Sequence, residues 1–126
     1  MTKKLRLSLA IALCLTAVCI AWPQPARDPL DSLVVCASTQ HLILENAFVR
    51  VIDDSIPAGA SEPRHHHPHS VVVYLSNYTL QQTTDDGQTI LTPRKVGTAA
   101  WSEAIVHSLK NVGATPSHAI RIELKF

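Results

Sequence analysis

The chain has 126 residues, 17% of them charged, with a formal net charge of +1. That length accommodates one domain of ordinary size and excludes a multidomain machine. Eleven Lys and Arg against ten Asp and Glu also leave no strongly basic surface of the kind that binds nucleic acid or an anionic membrane.

The chain opens with Lys3, Lys4 and Arg6, followed by an uncharged apolar run over residues 7–21. A basic start and an apolar stretch of about 7 to 15 residues form the pattern of a secretory signal peptide. A membrane-spanning helix needs about 20 apolar residues, whereas this run is soon interrupted by Pro23 and Pro25. Residues 1–21 are therefore expected to be a signal peptide, cut after Ala21 or, at a less well-formed site, after Ala26. The product would be periplasmic or secreted, with no stable membrane anchor after cleavage. Cleavage takes away Lys3, Lys4 and Arg6, so a formal charge of +1 less three becomes −2. It also removes Cys14 and Cys19, leaving Cys36 as the only cysteine and excluding a disulfide within one subunit. Cys36 reads as a small apolar residue, since no neighbour in sequence would lower its pKa.

Residues 22–39, with Pro23, Pro25 and Pro29, read as a linker and N-terminal extension, and residues 40–126 as the folded domain. No apolar period of 3.6 is sustained there, and the signals are those of short strands. Phe48 to Ile52 alternates about Arg50 and is closed by the turn residues Pro57-Ala-Gly59. Val71 to Leu75 is a continuous apolar run, as expected of a strand buried on both faces. Thr79 to Thr84 and Gln88 to Thr92 form a hairpin about Asp85-Asp86-Gly87, where Asp-Gly supplies the turn. Further strands are expected at Thr98 to Trp101, at Ile105 to Leu109 and at His118 to Phe126. The last sets Ile120, Ile122, Leu124 and Phe126 on one face against Arg121, Glu123 and Lys125 on the other. Seven or eight short strands separated by Gly, Pro and Asn predict an all-β sandwich or barrel.

Chemistry is concentrated in one stretch: four of the seven histidines, His65, His66, His67 and His69, fall within residues 65–69. Imidazole is the commonest ligand for zinc, copper, iron and nickel. In an extended segment His65-x-His67 places two imidazoles on one face, with His66 on the other face and exposed. His69 shares the parity of His65 and His67, but at about 3.3 Å per residue it lies some 13 Å from His65. Glu62 and Arg64 flank the cluster in a loop. No phosphate-binding, Ser-His-Asp or nucleic-acid motif is present.

The spacing Gly59, five residues, His65-x-His67, then forty residues to His107 and three more to Asn111 resembles the two motifs of the cupin family. The likeness extends over most of residues 45–125 and is similar to small single-domain bacterial cupins of the RmlC-like type. It implies a single-domain jelly-roll barrel, the double-stranded β-helix, with His65, His67 and His107 as metal ligands. Two departures stand out. At a spacing of three residues the family's carboxylate ligand would fall at Val71, and the second motif keeps only His107 and Asn111 in register.

A three-histidine site therefore takes precedence over one in which His69 is a fourth ligand. The ion would be divalent, with iron first and zinc, manganese, nickel or copper as alternatives, and its ligation would be lost below about pH 6, where free imidazole becomes protonated. Glu103 is a candidate to orient an imidazole, and Asn111 to close a turn before Gly113. Tyr74 and Trp101 are candidate pocket walls, Arg64 is a candidate contact for an anionic group, and His41 and His118 stand alone near strand ends. The resemblance implies a metalloenzyme of dioxygenase or related type acting on a small, anionic molecule, with a homodimer as a further expectation. A non-catalytic metal- or ligand-binding module and a metal-free scaffold are the alternatives.

Overall fold

A computed structural model describes residues 28–126. The expected signal peptide, both cleavage positions, Cys14, Cys19 and residues 22–27 of the linker lie outside the described residues. Among the described residues one short helix, α1 (Ser32–Val35), precedes nine strands. These are β1 (Gln40–Glu45), β2 (Val49–Asp54), β3 (Ser61–His67), β4 (Ser70–Tyr74) and β5 (Tyr78–Thr84), then β6 (Thr89–Arg94), β7 (Ala99–Ser102), β8 (Ile105–Asn111) and β9 (Ala119–Leu124).

The strands form two antiparallel sheets, β1-β2-β9-β4-β7 and β3-β8-β5-β6. This is the all-β jelly roll expected from the pattern of short strands. The β5–β6 hairpin turns where Asp-Gly predicted it, with Gly87 at φ +82°, a left-handed conformation that glycine adopts without Cβ strain. Asn111 closes the turn after β8: its Nδ2 donates to the Ile56 and Thr115 carbonyls and its Oδ1 accepts from Gly113 N.

The faces of the strands are less conventional. In β9, Ala119, Arg121 and Glu123 are buried while Ile120, Ile122 and Leu124 are only partly covered. The inner face of β9 is therefore its polar face. The same register runs through the sheet, where Leu44, Val51, Ile122, Val71 and Trp101 lie side by side across five strands on the outer surface. Val71 to Leu75, expected to be buried on both faces, instead alternates. Ser70, Val72 and Tyr74 are buried inside, whereas Val71 and Val73 are half-buried outside and Leu75 is exposed.

The interior is divided along its length. One end is an apolar cluster of Ile56, Val72, Tyr74, Tyr78, Leu80, Leu109 and Ala119. The other end is polar and holds Glu62, His65, His67, Ser70, His107, Arg121 and Glu123, all buried. Burying this many polar groups is tolerable only where they satisfy one another, and their pairing defines the candidate site.

Candidate metal centre

His65 and His67 lie on the inner face of β3, and the register pairs His65 with His107 across the β3–β8 ladder. The intervening His66 pairs with Val106 and points away from the interior, its Nε2 2.7 Å from Asp28 Oδ2. Two-residue periodicity thus gives two imidazoles, and antiparallel pairing supplies the third. Their solvent exposures are 0%, 1% and 2% for His65, His67 and His107. His65 Nε2 is 3.0 Å from His67 Nε2 and 3.2 Å from His107 Nε2, and the three donor atoms all lie within 4.8 Å of one another.

The outer nitrogens fix which inner nitrogens are free. His65 Nδ1 is 2.7 Å from the Pro63 carbonyl, and a carbonyl only accepts, so Nδ1 carries the hydrogen and donates. His67 Nδ1 likewise donates to Glu123 Oε1 at 2.7 Å. In the neutral rings both Nε2 atoms therefore present lone pairs, 3.0 Å apart. Two facing acceptors repel unless a cation lies between them. Two nitrogens each about 2.1 Å from one ion stand about 3.0 Å apart at a right angle and about 3.4 Å apart at a tetrahedral angle. The observed 3.0 and 3.2 Å fit that requirement. His107 Nδ1 has no hydrogen-bond partner.

Glu123 belongs to a relay that begins in the N-terminal segment. Arg50 Nη1 donates to Asp31 Oδ2 and Arg50 Nε to Glu123 Oε2, each at 2.6 Å, while Glu123 Oε1 holds His67. A carboxylate behind a ligating imidazole fixes its orientation and raises its basicity. Burial pushes the Glu123 carboxyl up, against the opposing hydrogen bond from Arg50.

Burial also lowers the pKa of the three imidazoles. For His65 the Pro63 carbonyl and Glu62 oppose it. His67 is held well below the usual imidazole range by burial and by the positive fields of Arg121 and the neighbouring rings. His107 falls to about 3 for the same reasons. All three rings are therefore biased toward the neutral form that ligates.

Other residues singled out in the sequence lie elsewhere. His69 is not brought to the group: it stacks on Trp101 at 5.8 Å between ring centres, with Nε2 3.0 Å from Glu103 Oε2. Glu103 is exposed, accepts from Trp101 Nε1 and orients none of the three inner imidazoles. Trp101 is half-exposed on β7 and also borders the cavity that Tyr74 lines, as expected. Tyr74 does line an interior cavity of about 190 Å³, along with Asp54, Tyr78, His107 and Arg121. Arg64 is paired with Asp85 through two 2.6 Å contacts on the surface. Glu62 and Arg64 lie within β3, not in a loop, and His65, His66 and His67 end that strand. His41 is exposed, and His118 pairs with Asp53 on the outside. Cys36 is buried, with Sγ 3.3 Å from His65 Nδ1. Its thiol is pushed up to about 12 by burial and by Glu62 and Asp54, which excludes it as a thiolate nucleophile.

Solved structures of the same architecture include a cupin domain from Bordetella pertussis Tohama I, at 24% identity and TM-score 0.64. The match covers 69% of this chain and 92% of that one. An RmlC-like cupin with a double-stranded β-helix fold from Methanocaldococcus jannaschii aligns at 14% identity and TM-score 0.54, covering 68% and 77% of the two chains. A protein from Bacillus halodurans aligns at 13% identity and TM-score 0.55, covering 81% and 85%. The chain has the cupin fold. No family model matches it, and no curated protein does.

Within the cupin fold, a three-histidine group of this kind can hold a metal ion. The strand after His-x-His offers it no carboxylate: Val71 points outward, and the inward positions on either side are Ser70 and Val72. Three neutral imidazoles then leave a bound dication uncompensated by β4.

Proposed function

We propose that the chain is an exported, mononuclear metal-binding cupin that uses His65, His67 and His107 as ligands and acts on a small, anionic molecule as a metalloenzyme of dioxygenase or related type. The observation that carries the metal reading is the pair of Nε2 lone pairs of His65 and His67 facing each other at 3.0 Å, with both Nδ1 hydrogens committed elsewhere. Iron comes first among candidate ions, with zinc, manganese, nickel and copper behind it, because an all-imidazole donor set serves all of them. A bound ion would supply Lewis acidity or, if redox-active, dioxygen chemistry.

The protein's own residues have separate tasks in this reading. Glu123 and the Pro63 carbonyl hold two rings in the ligating tautomer. Arg121 and His107 border the cavity of about 190 Å³, which suits a small ligand, and Tyr74, Tyr78 and Leu80 form the apolar part of a mixed lining. Arg121 adds positive charge beside the ligand, consistent with an anionic substrate. Export rests on the basic start and apolar run of the sequence.

Metal analysis of the purified exported form tests the metal reading. About one equivalent is expected after supplementation, and the double substitution His65→Ala, His67→Ala should abolish it. Less than a tenth of an equivalent in the wild type would sink the reading. Oxygen uptake or substrate conversion by the loaded protein then separates an enzyme from a binding module. The module reading is favoured by one feature, the engagement of Glu123 in an ion pair with Arg50 and a hydrogen bond from His67, which leaves it poorly placed to move protons.

A further inference from the structure

We propose that Glu62 supplies the carboxylate of the metal centre, replacing from β3 the one that β4 lacks; this rests on the three-histidine reading above. Residues i and i+3 of a regular strand point to opposite faces, so the spacing of Glu62 and His65 hides any relation between them. The β3–β8 register shifts between these two residues: Glu62 pairs with Leu109 and His65 with His107, so three steps on β3 match two on β8. The extra residue is a β-bulge at Pro63-Arg64. Its effect is to turn Glu62 to the same inner face as His65 and His67, where it is 1% exposed.

There its Oε2 lies 3.6 Å from His65 Nε2, the nitrogen from which the 3.0 and 3.2 Å contacts to the other two rings are made. Two donors each about 2.1 Å from one ion are separated by about 3.0 to 3.6 Å for angles of 90° to 120°, so the spacing suits a shared ion. Glu62 lies within 4.8 Å of Cys36 and His65 but outside the group that the three imidazoles form, so it adjoins the centre through His65 alone.

Neutral donors hold the carboxylate. Thr39 Oγ1 donates to Oε1 at 2.5 Å, and Gln40 Nε2 reaches Oε1 at 3.2 Å and Oε2 at 3.1 Å. Among the described residues no Lys or Arg forms a salt bridge with Glu62. An anion buried without a cationic partner is costly, and a dication on the three histidines would offset it. To join the ligand set Glu62 must move toward His67 and His107, a movement that metal binding would drive.

Cobalt(II) chloride is the probe. Wild type, Glu62→Gln and Glu62→Asp would be titrated and followed by visible absorption, with circular dichroism reporting the fold. Stoichiometric cobalt binding by the wild type is the expectation of the three-histidine reading, and its absence defeats that reading and this one together. Given wild-type binding, Glu62→Gln should weaken it at least tenfold and change the cobalt spectrum. An affinity within twofold and a superimposable spectrum would overturn the role of Glu62 alone. Should the variants fail to fold, a crystal structure of cobalt-loaded wild type, with the ion located by anomalous scattering, decides the matter. A Glu62 oxygen within about 2.3 Å of the ion is expected, and one beyond 3 Å overturns the proposal.

Discussion

The most consequential single contact is the 2.7 Å hydrogen bond from His67 Nδ1 to Glu123 Oε1. Because Glu123 is also tied to Arg50, it holds the ring in one tautomer and one orientation. Glu123→Gln keeps the shape but removes the charge, and its amide can present either a donor or an acceptor to the ring. Metal affinity should drop by about 10- to 100-fold, as measured by competition with a chromophoric chelator, while His65 and His107 keep the site in place. An unchanged affinity would reduce Glu123 to a structural partner of Arg50. Burial also revises the pH at which metal should be lost. Sequence alone suggests about pH 6, the range of free imidazole. With His107 lowered to about 3 and His65 and His67 also lowered, protons compete for the ligands only in stronger acid. Dialysis over a pH series should therefore find metal retained to lower pH than free imidazole would allow, and release near pH 6 would contradict the burial of the site.

At the scale of the element, β9 shows why the sequence was readable in some places and misleading in others. Its alternation of Ile120, Ile122 and Leu124 with Arg121 and Glu123 identifies a strand, but ordinary experience assigns the aliphatic side to the core. Here the interior is a polar site, so the charged face turns inward, and Arg121 donates to Ser70 Oγ from a buried position. Local periodicity carries no information about which side another sheet will cover. The His-x-His spacing and His107 were legible because period two and a distinctive residue type coincide. Glu62 and Glu123 were not, the first because a bulge breaks the period and the second because its partner lies 56 residues away. The inverted face can be tested directly. Arg121→Leu should cost about 3 kcal/mol or more by removing a buried positive charge beside Glu123 and the donor to Ser70 Oγ. Ile122→Thr on the half-covered outer face should cost only about 1 kcal/mol. Urea denaturation of the two variants measures the order, and a larger loss for Ile122→Thr would place the core on the other side of the sheet.

Across the whole metal-free molecule, stability should depend on pH through two opposing sets of buried groups. The imidazoles of His65, His67 and His107 have folded pKa values below the ordinary 6.5, so the unfolded chain binds more protons as pH falls through that value. Their contribution is present above about pH 6.5 and is lost in acid, with a slope approaching about 1.4 kcal/mol per pH unit for each group. Asp54 works in the other direction. Burial, followed by the nearby negative charge of Glu62, raises its carboxyl from 3.8 to about 8, and its Oδ1 has no hydrogen-bond partner. Between about pH 4 and 8 the folded protein holds a proton that the unfolded chain releases, so this term lowers stability as pH rises. The histidines are three against two raised carboxyls, Asp54 and Glu123, and the net expectation is acid lability below pH 6, partly offset by those carboxyls. Asp54→Asn keeps the volume and removes the titration. Its melting temperature should exceed that of the wild type by at least about 5 °C at pH 7.5, since each kcal/mol is worth several degrees in a domain of this size, while near pH 4 the two should melt together. Differential scanning calorimetry at both pH values separates this from a general packing effect, because a packing change would shift both melting points alike, whereas relief of a buried ionisation must grow with pH.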